Sequence, residues 1–196
     1  MTVDDLIQLT KTTLRDPCAA ARTIMGWQIP RDMLWTALAL VAALNTFIIQ
    51  ILLAGSEPNP AIPGYFYTPL ALFVLMAGVM VIYVHALYWA GLAIKGQGRL
   101  DDLLAVIVWL QFLRTAAQLG IVLLSAALPS LGLVAMLVVS LWGVWILLNF
   151  IATTLNLPSV GHGFAVLVIG LVGLVLSLSI LLALIGVGAQ GISTNV

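Results

Sequence analysis

Carboxylates are scarce where this chain would need them most. No Asp or Glu falls in the interior of its long apolar blocks, and all 196 residues hold seven acidic and seven basic side chains. Charged residues are 7% of the sequence and hydrophobic ones 63%. So little charge cannot cover a soluble domain of this length, which excludes that class. Alternation of apolar and polar residues is also missing, and without period 2 a membrane barrel is excluded. Cys18 is the single cysteine, so neither an internal disulfide nor a thiolate cluster can form. The formal net charge is zero, which gives nucleic acid no electrostatic footing.

What is present is a run of five apolar blocks, at about Asp32–Ala54, Thr68–Ile94, Leu103–Ala127, Leu131–Ile151 and Phe164–Ala189. Each reaches the roughly 20 residues that cross ~30 Å of hydrocarbon as a helix. Blocks three and four are parted by Pro129-Ser130 alone; unbroken, the stretch is far too long for one span. The expected class is therefore all-α: a polytopic membrane helical bundle of about five transmembrane helices.

Residues 1–31 precede the bundle as an arm. Thr2 with Asp4 and Asp5 reads as a helix start, acids in the first turn being favoured by the helix dipole. Val3, Leu6, Ile7, Thr10 and Leu14 then share a face. Asp16-Pro17 restarts the pattern as N-cap and first helical residue, and that helix should end near Gly26. Both helices read as an amphipathic interfacial arm. The remaining organisation is a five-helix unit over 32–190 and a short tail, 191–196.

Orientation follows the basic residues. Lys11, Arg15, Arg22 and Arg31 precede span one, and Lys95 and Arg99 lie between spans two and three. The loop Gly55–Tyr67 has no Lys or Arg. The expectation is a cytoplasmic N-terminus and an outer, periplasmic C-terminus.

Arg114 is the seventh basic residue and lies inside span three. Counted from Leu103 it sits eleven residues in, roughly 16 Å deep, where a charge costs about 2.5–3.5 kcal/mol. Gln111, Thr115 and Gln118 recur around it at helical spacing, making one polar stripe. Its possible intramolecular partners are amides: Asn45 and Gln50 in span one, Gln111 and Gln118 beside it, and Asn149 in span four. Amide oxygens satisfy a guanidinium without neutralising it. Two readings stand side by side. Either Arg114 tilts toward a headgroup phosphate or glues spans through amides, or it faces a polar groove or another subunit's carboxylate.

His85 in span two, with Tyr88 and Trp89 on its face, reads first as a hydrogen-bonded packing residue. A metal site needs several ligands, and the other histidine, His162, lies in the fourth loop. Ser159 and His162 are close in sequence, but no G-x-S-x-G and no orienting acid accompany them. Neither catalysis nor a cofactor is expected. Ala39/Ala43, Ala86/Ala90 and Gly173/Ser177 fit small-x-x-x-small helix packing.

Several segments together resemble the bacterial branch of the Yip1 family. They are Asp16-Pro17 with Ala19-Ala20-Ala21-Arg22, the Gly96-Gln97-Gly98-Arg99-Leu100-Asp101-Asp102 loop, Trp142, Trp145, Asn149 and Phe150 of span four, and His162-Gly163-Phe164. The resemblance spans essentially the whole chain and implies a five-span integral membrane protein without known catalysis. Eukaryotic members engage small Rab-type GTPases in vesicle trafficking; the motifs for that role are not recognisable here, which argues against GTPase binding. The implied role is a scaffold or adaptor of a bacterial inner membrane, with membrane lipids, other membrane proteins or further copies of the chain as partners. The alternatives are an accessory subunit of a larger membrane complex, and a small transporter or channel along the Arg114 stripe with Asn45, Asn149 and His85.

Overall fold

A computed structural model describes residues 3–54 and 64–193. Two short helices, α1 (Val3–Arg15) and α2 (Pro17–Gly26), lead into five long ones. These are α3 (Arg31–Ala54), α4 (Pro69–Ala93), α5 (Leu100–Ala127), α6 (Pro129–Thr154) and α7 (Val160–Ser193). A single 3-10 turn, Gly64–Tyr67, precedes α4, and no strand occurs among the described residues. All five long helices are long and apolar enough to cross a membrane. The chain is a polytopic helical bundle. The expected Thr2 cap, most of the Gly55–Tyr67 loop and the last residues of the tail lie outside the described residues.

The bounds follow local chemistry. Asp16 Oδ1 accepts the Ala19 N–H at 2.9 Å with Pro17 at the first helical position, the arrangement read from sequence. Pro69 and Pro129 likewise open α4 and α6, where a missing N–H costs nothing. Span three begins at Leu100, three residues earlier than hydropathy placed it, because Asp101 and Asp102 occupy its first turn, where the helix dipole favours them.

The core is concentrated at one end, where α3 and α5 begin and α4 and α6 finish. Leu103 through Ile107 are five consecutive buried residues, so α5 is covered on every side there. The covering elements are α2, α3, α4 and α6. Ala20, Ala21 and Ile24 bring α2 into this cluster with Leu34, Leu87, Ile146 and Phe150. At the other end α6 is nearly bare: from Leu133 to Trp145 its large apolar side chains are all exposed.

Two helix ends interlock at the packed end. Helix α4 closes with Gly96 N–H on Gly91 C=O (2.8 Å) and Lys95 N–H on Leu92 C=O (3.0 Å). Helix α6 repeats the motif with Leu157 N–H on Ala152 C=O (2.8 Å) and Asn156 N–H on Thr153 C=O (3.3 Å). The left-handed position is Lys95 (φ 67°) in one and Asn156 (φ 50°) in the other. The ends are then tied together: Gln97 N–H donates to Leu155 C=O, and Asn156 Nδ2–H donates to Gln97 C=O, each at 2.8 Å. This approach needs Gly98, since a Cβ there would stand 2.5 Å from the Thr154 carbonyl oxygen.

Gly98→Ala is therefore expected to destabilise the bundle by about 1–3 kcal/mol, as overpacking does. Gly78→Ala, whose Cβ meets nothing within 4 Å, should be neutral or gain up to roughly 1 kcal/mol. Unfolding of both variants in mixed micelles checks the contrast.

Candidate functional site

The arm does not lie beside the bundle; it is hydrogen-bonded onto it. In α1 the residues turned inward are Leu9 and Thr13, whereas Val3, Ile7 and Leu14 of the face read from sequence are exposed. The inward line follows from where acceptors are needed. Trp109 of α5 is buried, and a buried indole N–H requires a partner. Its Nε1–H donates to Thr13 Oγ1 at 3.0 Å, and that hydroxyl donates on to Leu9 C=O at 2.8 Å. Trp142 Nε1–H donates to Leu14 C=O at 3.3 Å. Cys18 Sγ–H donates to Asn149 Oδ1 at 3.4 Å, while Asn149 Nδ2–H donates to Trp145 C=O at 2.8 Å. Asn149 thus holds the arm rather than the Arg114 stripe.

The remaining polar residues of the spans separate into distinct places. Asn45 Nδ2–H donates to Thr115 Oγ1 at 2.8 Å and to Val41 C=O at 2.9 Å. Thr115 Oγ1–H donates to Gln111 C=O at 2.8 Å, so the hydroxyl both accepts and donates and joins α3 to α5. Gln50 Nε2–H donates to Phe66 C=O at 2.7 Å at the far end of α3.

Arg114 adjoins Thr115 in sequence, but neighbouring helix positions do not share a face, and only Thr115 turns toward α3. Arg114 is exposed, with Gln111 and Gln118 half-buried on either side. In the 28-residue α5 it is the fifteenth residue, at the midpoint. The Tyr83 phenol on α4 lies within its electrostatic reach. Among the described residues no carboxylate comes within ion-pair distance of it, and none of the candidate amides hydrogen-bonds to it.

His85 packs as a satisfied histidine. Its ring stacks on Trp35 at 5.9 Å between centroids. Nδ1 lies 2.8 Å from Val81 C=O, and since a carbonyl only accepts, Nδ1 carries the proton. His85 also lines a groove of about 710 Å³ between α4 and α7, with Ala86, Trp89, Gly173 and Ser177. The small residues of those two spans line this groove where α4 and α7 pack together, and Ala90 is buried there. Ser159 Oγ and His162 Nδ1 are 2.9 Å apart, and Ser159 C=O accepts the His162 and Gly163 N–H groups, which makes the pair the cap of α7. Metal-ligating residues form no cluster among the described residues.

A family model described as the Yip1 domain matches residues 11–188. The chain belongs to the Yip1 family. No curated protein and no solved structure matches it at a significant level. The matched range takes in most of the arm as well as the spans, in keeping with an arm that is part of the Yip1 unit rather than an appendage. Sequence reasoning missed the docking of that arm. The available signal was the pair Trp109 and Trp142, indole donors inside spans whose own helices offer no free acceptor.

Two measurements test these contacts. Thr13→Val leaves the Trp109 N–H unpaired, and should cost about 1–3 kcal/mol and raise amide exchange across α1. A double-mutant cycle on Asn45→Ala and Thr115→Val should return a coupling of about 0.6 kcal/mol, with roughly 1.7 as the ceiling for such bonds in lipid.

Proposed function

We propose that this Yip1-family protein is a non-enzymatic scaffold or adaptor, binding other membrane proteins or lipids through its helix faces. The observation that carries the reading is Arg114. A cation at the centre of a span costs about 2.5–3.5 kcal/mol, and nothing among the described residues neutralises it. On this reading its counter-charge is a lipid phosphate or a carboxylate on another subunit, since the described residues supply none. The exposed outer half of α6, next to α5 in the bundle, offers an apolar surface for such a neighbour. An accessory-subunit role is the special case in which that neighbour belongs to a larger complex.

Transport is less well supported. Arg114, Gln111, Gln118, Asn45 and Asn149 line neither the α4–α7 groove nor the cleft at the packed end. Sidedness follows the basic residues: the four of the arm, Lys95 and Arg99 belong at the cytoplasmic face of a bacterial inner membrane, with the C-terminus periplasmic. That places the docked arm on the cytoplasmic side as well. The reading requires neither cofactor nor nucleic acid, and it does not invoke a GTPase.

Arg114→Leu should fold with stability equal to or above the wild type, because the cost of about 2.5–3.5 kcal/mol for a charge at the centre of a span is removed. The same variant should lose a membrane protein that co-purifies with the wild type in native lipid, read by mass spectrometry. Unchanged co-purification, or Arg114-dependent solute flux in liposomes, would count against the adaptor role.

A further inference from the structure

A cleft of about 280 Å³ opens at the packed end, between the end of α2, the Gln28–Arg31 turn and the start of α5. Its charged lining is Arg31, Arg99, Asp101 and Asp102, and Ile29 and Leu34 are among its apolar lining. Two cations and two anions leave the cleft neutral as a whole. They do not satisfy one another. Arg31 Nε stands 3.5 Å from Asp101 Oδ1, and Arg99 Nη2 stands 3.9 Å from Asp101 Oδ2. Both distances are long for charge-assisted hydrogen bonds, which run at roughly 2.7–2.9 Å. Asp101 Oδ1 is buried and makes no hydrogen bond. Asp102 has no ion-pair or hydrogen-bond partner among the described residues. Each guanidinium carries five donors, so most of that capacity is free, and the Arg31 and Arg99 side chains are 56% and 73% exposed.

The position of the cleft narrows what could use this capacity. Arg31 with Asp32, and Asp101 with Asp102, are the last charged residues before the apolar stretches of α3 and α5. That is the level of lipid headgroups. A free carboxylate and free guanidinium groups around one small cavity match a group that carries both charges. At 280 Å³ the cleft falls just below the usual range for small-molecule sites, roughly 300–1,000 Å³, which suits a headgroup and not a whole lipid.

We infer that this cleft binds the phosphate ester of a primary amine, its phosphate on Arg31 and Arg99 and its ammonium on Asp102. Phosphatidylethanolamine is the membrane source of that group and soluble O-phosphoethanolamine the free one. The ammonium donates three N–H bonds, which a choline headgroup cannot do. An anionic headgroup lacking the amine leaves Asp102 unanswered. The inference does not rest on the Arg114 reading: its lipid preference is read through Arg99 and Asp102, which Arg114→Leu leaves in place.

The test is native mass spectrometry of the full chain from nanodiscs containing phosphatidylethanolamine, phosphatidylcholine and phosphatidylglycerol in equal amounts. The wild type should retain the ethanolamine lipid over both others by about tenfold, the worth of one charge-assisted hydrogen bond. Arg99→Ala should lose that preference. Asp102→Asn, which makes the cleft net positive, should shift retention toward phosphatidylglycerol, a change that a purely structural Asp102 would not produce. Arg99 is largely exposed and Asp102 unpaired, so thermal melting should stay close to the wild type for both, Asp102→Asn losing only its small helix-dipole contribution. Delipidated protein is then offered O-phosphoethanolamine alone: binding with the same dependence on Arg99 and Asp102 makes the free ester a source, and its absence assigns the site to the lipid. Equal retention of the three lipids by the wild type, a wild-type preference for phosphatidylglycerol, or retention indifferent to both variants would overturn the assignment.

Discussion

Between Leu103 and Ile107, α5 touches protein on every side, and the rest of the bundle is arranged to make that possible. Inside lipid, apolar contact between helices gains little, because the acyl chains are as apolar as leucine. Cohesion has to come from close packing and from hydrogen bonds that have no alternative partner. A helix enclosed by four others maximises both. Three of the enclosing helices are spans. The fourth is α2, which the chain supplies from its arm, and it can come close because Ala20 and Ala21 present almost no side chain. The arm thereby completes a shell that the spans leave open.

The enclosure also explains the chemistry of the adjoining loop. Bringing α4 and α6 to finish together around α5 leaves two sets of terminal carbonyls at one place. Each helix closes on itself, with Lys95 and Asn156 in the left-handed conformation, and the two closures then share hydrogen bonds through Gln97. A left-handed lysine is strained, and it is held because the bonds on either side of it leave no other course. The glycine-rich segment of this Yip1-family chain is therefore a packing device, shaped by the end of α6.

Much of this was legible from sequence, and the part that was not has one physical cause. Span number follows from length, the start of α2 from Asp16-Pro17, and the isolation of Arg114 from the want of a carboxylate; each depends on neighbours in the chain. The pairings that organise the site join residues far apart: Trp109 with Thr13, Asn45 with Thr115, Cys18 with Asn149. Sequence placed Asn45, Thr115 and Asn149 among the polar residues the bilayer must tolerate, without saying which would be spent on holding the fold. It gave α1 one apolar face for the membrane interface and said nothing of a second line facing the bundle. Of that face Val3, Ile7 and Leu14 are exposed and Leu6 and Thr10 half-buried, while the Trp109 indole on α5 takes Thr13, one turn from Leu9, as its acceptor.

Once those pairings are made, what remains unpaired gains meaning. Asn45, Thr115, Asn149 and His85 each end in a closed set of hydrogen bonds or ring contacts, so the intramembrane polarity of the chain is mostly structural. Arg114 is the charged exception, and it stands on α5 beyond the enclosed Leu103–Ile107 stretch, exposed and without a counter-charge among the described residues. The division is a consequence of where cohesion was placed. A bundle fastened at one end by an enclosed helix, a docked arm and interlocked termini does not need its other end to be compact. That end is left with lateral apolar surface, bordered among the described residues by the unpaired Arg114.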